Sequence, residues 1–120
     1  MADQQHCEEK LIEAFEMMWG KFPEPVMLIH RNRTILAANE CCKSIGGVPG
    51  VKCNAVQPER HKGCKANEAL DKNETRIASA SFGETPITSY WIPVSGAADY
   101  YVHFGIGTLD AMKAIQATKE

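Results

Sequence analysis

Two thiols and an imidazole lie close together in the stretch "CNAVQPERHKGC", as Cys53, His61 and Cys64. Thiolate and imidazole form a soft set of sulfur and nitrogen ligands that suits zinc or an iron-sulfur cluster. A three-residue step places His61 and Cys64 on one face of a helix. A fourth ligand would come from Cys41 or Cys42, with Cys42 taken as the candidate, because two adjacent cysteines seldom ligate the same metal. The pattern therefore allows a mixed cysteine and histidine metal site.

The same cysteines have a second interpretation, as small residues of the core. Free cysteine is among the most buried residue types. The chain has 5 cysteines, an odd number, and no export signal, which argues against a framework of disulfides. Reduced thiols, either buried or metal-bound, are the two alternatives, and buried metal-free thiols are the interpretation we favour.

Hydrophobic periodicity predicts the elements that would position these side chains. Apolar residues recur at three- and four-residue steps from Glu8 to Trp19, which predicts an amphipathic helix that ends at Gly20. Its stripe must cover either the sheet of its own chain or the matching helix of a partner. The stripe consists of Leu11, Ile12, Phe15, Met18 and Trp19.

Strands and shorter helices follow this first helix. Residues 26–30 and 34–38 predict a hairpin with a polar tip, and Asn39 is a good N-cap for a short helix over "ECCKSIG". The stretch from Pro58 to Asn73 predicts a longer helix, with Gly63 as its weak point. The last third predicts a three-stranded antiparallel meander, and residues 109–117 a closing helix.

This order of elements resembles the PAS domain, the sensor fold of many bacterial signalling proteins. The stretch "FPEPVMLIHRNRTILAANECCKSIGG" is similar to the PAS opening, and "QPERHKGCKANEALDKNET" is similar to the PAS long helix. The resemblance extends from Pro23 to Thr108. It implies an α+β fold with a five-stranded antiparallel sheet, helices on one face and a ligand pocket between them. We accordingly assign residues 1–22 to an N-terminal amphipathic helix, a cap or dimerisation element, and residues 23–120 to a PAS-like sensor domain.

The resemblance also suggests cofactors. PAS domains bind haem, flavin or small metabolites, or bind nothing, and in the haem-binding members the proximal ligand is a histidine on the long helix. His61 is therefore a candidate haem ligand. A cysteine-containing PAS subgroup carries one cysteine before this helix and a pair at its start, and here His61 stands in place of the first of that pair. The cofactor stays open between haem, an iron-sulfur cluster, zinc and none.

A ligand pocket would be lined by inward-facing positions of the strands. Strand alternation leaves open whether Tyr90 and Ile92 or instead Trp91 faces inward, and it turns His103 outward if its neighbours face the core. Core packing is the other use of all these positions. The predicted pocket residues are Met27, Ile29, Ile35, Trp91, Val102 and Phe104.

Composition and motifs argue against several functions. The formal net charge is -2 and no basic run is present, so we expect no nucleic-acid partner. No apolar run approaches the roughly 20 residues that cross a bilayer, and the start "MADQQHCEEK" is unlike a signal peptide, which predicts a cytoplasmic protein without a membrane partner. The chain lacks a glycine-rich phosphate loop, G-x-S-x-G and H-E-x-x-H, so we expect no enzyme.

Three functional hypotheses follow. The first is a non-enzymatic PAS-type sensory module that binds a small ligand or cofactor and signals through dimerisation or partner contacts. The second is a redox or gas sensor that holds metal, iron-sulfur or haem with Cys53, His61 and Cys64. The third is a purely structural homodimerisation module. The resemblance implies a homodimer through helix 8–19 and a histidine kinase, cyclase or regulator as partner.

Overall fold

The computed structural model describes residues 2–44, 47–52, 64–82, 84–108 and 110, and the side chains of this set apart from those of residues 2–7 and 82. Its helices are α1 (Ala2–Trp19), α2 (Glu40–Lys43) and α3 (Ala66–Lys72). Its strands are β1 (Val26–His30), β2 (Ile35–Ala38), β3 (Arg76–Phe82), β4 (Thr85–Val94) and β5 (Ala97–Ile106).

The strands form one antiparallel sheet in the order β2-β1-β5-β4-β3. The two hairpins come together through the pairing of β1 with β5, which aligns Leu28 with Val102. The predicted hairpin and meander are thus confirmed as parts of a single five-stranded sheet.

One face of the sheet, called the inner face below, packs against α2 and α3. Ala66, Ala69 and Leu70 of α3 are buried there, and Cys42 of α2 joins them. The strands contribute the remaining members of this cluster, which are Ile29, Ile35, Ala38, Trp91 and Tyr101, with Met27, Cys64 and Ala78 partly buried against it.

The other face, called the outer face, is covered by α1. Phe15 is buried at the centre of this contact, and Leu11 and Trp19 pack at its sides. The stripe of α1 therefore covers the sheet of its own chain. Met18, which the sequence placed in the same stripe, is 78% exposed together with Met17 at 81%. Of the two alternatives left open for the stripe, Leu11, Ile12, Phe15 and Trp19 take the first, the sheet of their own chain.

Several element boundaries differ from the prediction. The helix predicted from Glu8 begins at Ala2. β2 begins at Ile35, and Thr34 before it forms an isolated bridge with Lys52. Cys64 precedes α3, so the predicted continuous helix through Cys64 is wrong at this residue, next to the glycine that weakens it. Residues 58–63 of that predicted helix, and residues 109 and 111–117 of the closing helix, lie outside the described residues.

Within the part of the chain that the structure describes, no helix combines the length and apolar character needed to cross a membrane.

Candidate functional site on the inner face

The centre of the inner face carries two stacked rings, those of Trp91 and His103. They are cross-strand neighbours on β4 and β5, with ring centroids 4.9 Å apart and planes inclined by 18°. Met27 and Arg76 continue the same row on β1 and β3. Trp91 is buried and His103 is half-buried, so the stack presents a firmly packed aromatic surface.

A hydrogen bond fixes the orientation of the His103 ring. Its Nδ1 lies 2.9 Å from the carbonyl oxygen of Tyr90. A carbonyl oxygen only accepts, so Nδ1 carries the proton and donates. The stack therefore combines an apolar ring with a ring nitrogen of defined hydrogen-bonding role.

The neighbouring row of the inner face has only small side chains. Gly105, Ser89 and Ala78 lie opposite one another on β5, β4 and β3. Because side chains stand roughly perpendicular to a sheet, small residues leave the sheet surface low at this point, directly beside the Trp91–His103 stack. We call the three residues the floor, and the hydroxyl of Ser89 is its polar side-chain group.

Toward the β1–β2 hairpin the inner face is filled by larger side chains. Tyr101 and Ile29 are both 0% exposed, and Leu70 of α3 packs with them in the same cluster. The guanidinium carbon of Arg33 lies 6.0 Å from the centre of the Tyr101 ring, within the range of a cation–π contact. The low floor and the filled region thus occupy two ends of one surface.

Two of the predicted metal ligands, Cys42 and Cys64, pack at this inner face. Burial raises the pKa of the Cys42 thiol to about 11, with a smaller contribution from Cys41. The thiol is therefore protonated at neutral pH when no metal holds it. Cys41 is turned elsewhere, since its Sγ lies 3.6 Å from the carbonyl oxygen of Pro23.

Cys53 and His61, the other predicted ligands of metal or haem, lie outside the described residues. Among the residues that are described, no three potential ligands from histidine, cysteine, aspartate and glutamate are grouped for a metal ion. The predicted four-residue site is therefore represented by Cys42 and Cys64, and it stays a prediction.

The predicted pocket residues separate into two groups. Met27, Ile29, Ile35 and Trp91 lie on the inner face. Val102 and Phe104 belong to the outer face, so the prediction that they line the same pocket is wrong. Phe104 instead packs its ring 5.5 Å from that of Trp19.

Strand β5 contributes Tyr101 and His103 to the inner face, two residues that the sequence prediction missed. His103 does face away from the buried Val102 and Phe104, but the face on which it lies is the inner one, because those two residues lie on the outer face. The signal that could have found both was the alternative phase of the β5 alternation, which is equally rich in aromatic rings.

Solved structures share this architecture. The sensory box sensor histidine kinase from Vibrio cholerae is 13% identical, and the match covers 88% of this chain and 92% of that chain with a TM-score of 0.59. The PAS domain of BvgS from Bordetella pertussis is 15% identical, with coverage of 91% and 97% and a TM-score of 0.57. Phage VqmA, in complex with DPO, is 15% identical, with coverage of 92% and 59% and a TM-score of 0.64. No protein-family model and no curated protein matches the chain.

The chain therefore has the fold of a PAS domain, as its element order predicted. At these low identities the likeness shows the fold alone. Whether the cysteines mark the cysteine-containing subgroup stays a prediction.

Proposed function

We propose that this chain is a non-enzymatic, PAS-type sensory module of a signal-transduction protein, which binds a small molecule on the inner face. One observation carries the proposal: the Trp91–His103 stack stands directly beside the low floor of Gly105, Ser89 and Ala78. Ligand sites are mostly apolar concave surfaces with a few placed polar groups, and this composition agrees with that rule.

The chemistry of the surface favours a small, flat and largely apolar molecule. The stacked rings offer an aromatic edge and face, and the Ser89 hydroxyl and the His103 imidazole add polar character beside them. The nearest charged group of the same row, Arg76, forms ion pairs with Glu68 and Glu74, so it is already neutralised by carboxylates. A strongly charged ligand would find no uncompensated partner among these named residues.

Signal transfer would begin at the helices that cover the inner face. A molecule on the floor would contact the same sheet surface as α2 and α3 and so change their packing. We propose that the change reaches a histidine kinase, cyclase or regulator partner, and that two copies associate through helix 8–19. Phage VqmA, which shares this fold, was solved as a complex with DPO, and this supports the proposal that a chain of this fold binds another molecule.

The test is to purify the chain without oxygen, denature it, and identify any released molecule by mass spectrometry. We expect Ala78→Leu to abolish or reduce the released molecule at least tenfold, because the larger side chain fills the floor. The matched control is Ala98→Leu, which makes the same change at an exposed position of β5. Equal occupancy in the wild type and Ala78→Leu would show that the floor is not the binding site.

A metal or cluster is the second candidate, favoured by the observation that Cys42 and Cys64 pack against one cluster. Thiolates would hold zinc or iron–sulfur, and binding would release the Cys42 proton. The visible spectrum and the iron, zinc and sulfide content of the same preparation test it, with Cys42→Ser and Cys64→Ser compared with Cys41→Ser. Metal content that is zero, or equal in all variants, would reject these ligands, and a Soret band would favour haem.

A further inference from the structure

Two arginines at the tip of the β1–β2 hairpin each join α3 to β5. Arg31 donates from Nη1 to Asp71 Oδ1 of α3 at 2.8 Å and from Nε to Asp99 Oδ1 of β5 at 3.1 Å. Its backbone N–H donates to the carbonyl oxygen of Asp99 at 2.7 Å. These hydrogen bonds to Asp71 and Asp99 raise the pKa of Arg31. Arg31 is therefore a permanently charged bridge between the helix and the sheet.

Arg33 makes a second bridge, which contacts α3 one helical turn before the residue that Arg31 contacts. Its Nη2 donates to Asn67 Oδ1 of α3 at 3.1 Å, and its guanidinium lies over the ring of Tyr101 of β5. Asn67 and Asp71 are four residues apart, so both arginines contact the same face of α3. A second hydrogen bond, from Arg33 Nη1 to the carbonyl oxygen of Arg31 at 2.8 Å, links the two arginines.

The backbone conformation of Arg33 indicates that several contacts together hold the hairpin tip in place. Its φ is 78°, in the left-handed region that glycine and asparagine usually occupy and that is strained for a residue with a long side chain. Strain of this kind persists where surrounding contacts hold it in place. Here the guanidinium contacts with α3 and β5 act together with the hydrogen bond of the turn from Arg33 N to the carbonyl oxygen of His30 at 2.7 Å.

Apolar contacts hold α3 less firmly than they hold the strands. The buried residues of this seven-residue helix are Ala66, Ala69 and Leu70, two of which have only a methyl group to bury. Hydrophobic stabilisation grows with the buried apolar area, so Leu70 supplies most of it. The polar bridges of Arg31 and Arg33, together with the Arg76–Glu68 ion pair, therefore add to an apolar contact that depends mainly on Leu70.

We propose that Arg31 and Arg33 form a latch that holds α3 on the sheet, and that release of the latch lets α3 lift from the inner face while the sheet stays folded. The latch would set how readily a molecule reaches the floor. That second role rests on the proposed function, whereas the opening of α3 does not.

Amide hydrogen exchange of the full chain, followed by mass spectrometry of peptides spanning residues 64–75, tests the opening. We expect Arg31→Gln/Arg33→Gln to speed exchange in α3 at least tenfold, with little dependence on denaturant, because local opening exposes little surface. Peptides from β5 should keep the wild-type rate. Raising NaCl from about 0.05 M to about 1 M should speed α3 exchange in the wild type and change the double variant much less, because salt screens exposed ion pairs.

The matched control is Lys21→Gln/Lys43→Gln, which removes two exposed positive charges outside the latch; Lys43 pairs with Glu40 of its own helix. Exchange in α3 should then equal the wild type.

Access to the inner face is read separately as the alkylation rate of the buried Cys42 in a Cys41→Ser background, and it should rise with α3 exchange. A rise in α3 exchange without a rise in alkylation would remove the gating role and keep the latch.

Equal α3 exchange in the wild type and Arg31→Gln/Arg33→Gln would overturn the proposal, as would an increase of the same size in α3 and β5. If the double variant does not fold, Arg31→Lys and Arg33→Lys are compared instead, because lysine keeps the charge and loses the planar fork that bridges two partners. Wild-type exchange in both lysine variants would then overturn it.

Discussion

Asn39 is a buried polar residue on which three segments of the chain converge. Its Oδ1 accepts from the backbone N–H groups of Val26 at 3.1 Å and Cys42 at 2.9 Å. Its Nδ2 donates to the carbonyl oxygens of Phe22 at 2.9 Å and Glu24 at 2.8 Å. One side chain thus joins the segment after α1 to the start of β1 and to the N-terminus of α2.

Replacement of Asn39 by alanine should lower the free energy of unfolding by about 2 to 3 kcal/mol, because it removes a helix cap and leaves buried backbone groups without this partner. Asn39→Asp should be similarly destabilising at neutral pH, since its carboxylate would face the carbonyl oxygens of Phe22 and Glu24. Urea unfolding measures both. The control Asn32→Ala, at an exposed asparagine that accepts from Thr34 N at 2.9 Å, should cost less than about 1 kcal/mol. Equal losses for Asn39→Ala and Asn32→Ala would contradict the argument.

The sequence predicted one of these four hydrogen bonds, and the reason is separation along the chain. The bond to Cys42 N is a local N-cap, three residues away, and the prediction of Asn39 as a cap is confirmed. The bonds to Val26, Glu24 and Phe22 reach back 13, 15 and 17 residues. Local patterns contain no information about such partners, because they depend on how the hairpin folds onto the segment before it.

Strand β5 shows where prediction fails at the level of an element. Its existence and its place in a meander followed from the sequence, but its orientation did not. The alternating set Tyr100, Val102 and Phe104 faces α1, while Tyr101 and His103 face α2 and α3. A sheet covered on both faces has apolar residues in both phases, so alternation no longer distinguishes the faces. The same ambiguity left the side of Trp91 open.

β5 ends just before Gly107, which has a φ of 99° and lies against the neighbouring strand β4. A Cβ at this position would collide with the carbonyl oxygen of Pro86. Gly107→Ala should therefore destabilise the chain by about 2 to 4 kcal/mol, through both the backbone conformation and the clash. The control is Gly96→Ala in the β4–β5 turn, where φ is 81° and the space is open, with an expected loss of about 1 kcal/mol. Thermal unfolding measures both, and equal losses would mean that the Pro86 contact relaxes without cost.

In the described part of the chain, the sheet carries α1 on its outer face and α2 and α3 on its inner face. Phe15 is 4% exposed, and the rings of Trp19, Phe22, Phe104 and Tyr90 form a connected set around it. Deletion of α1 would uncover this apolar surface and promote non-specific association. Point substitutions at exposed positions are therefore the cleaner way to examine a dimer through residues 8–19.

Met17 and Met18 are the exposed large apolar residues of α1 in the described part of the chain, so we expect the proposed dimer through this helix to bury them. Met17→Gln/Met18→Gln changes polarity with little change in size, so it should weaken dimerisation at least tenfold, about 1.4 kcal/mol, without loss of folding. Sedimentation equilibrium over a range of concentrations measures the dissociation constant. Ile77→Gln, at a 56% exposed isoleucine on the edge strand β3, serves as the control and should dimerise like the wild type. A dimer weakened by Ile77→Gln and untouched by the methionine changes would place the interface on the exposed sheet instead of on α1.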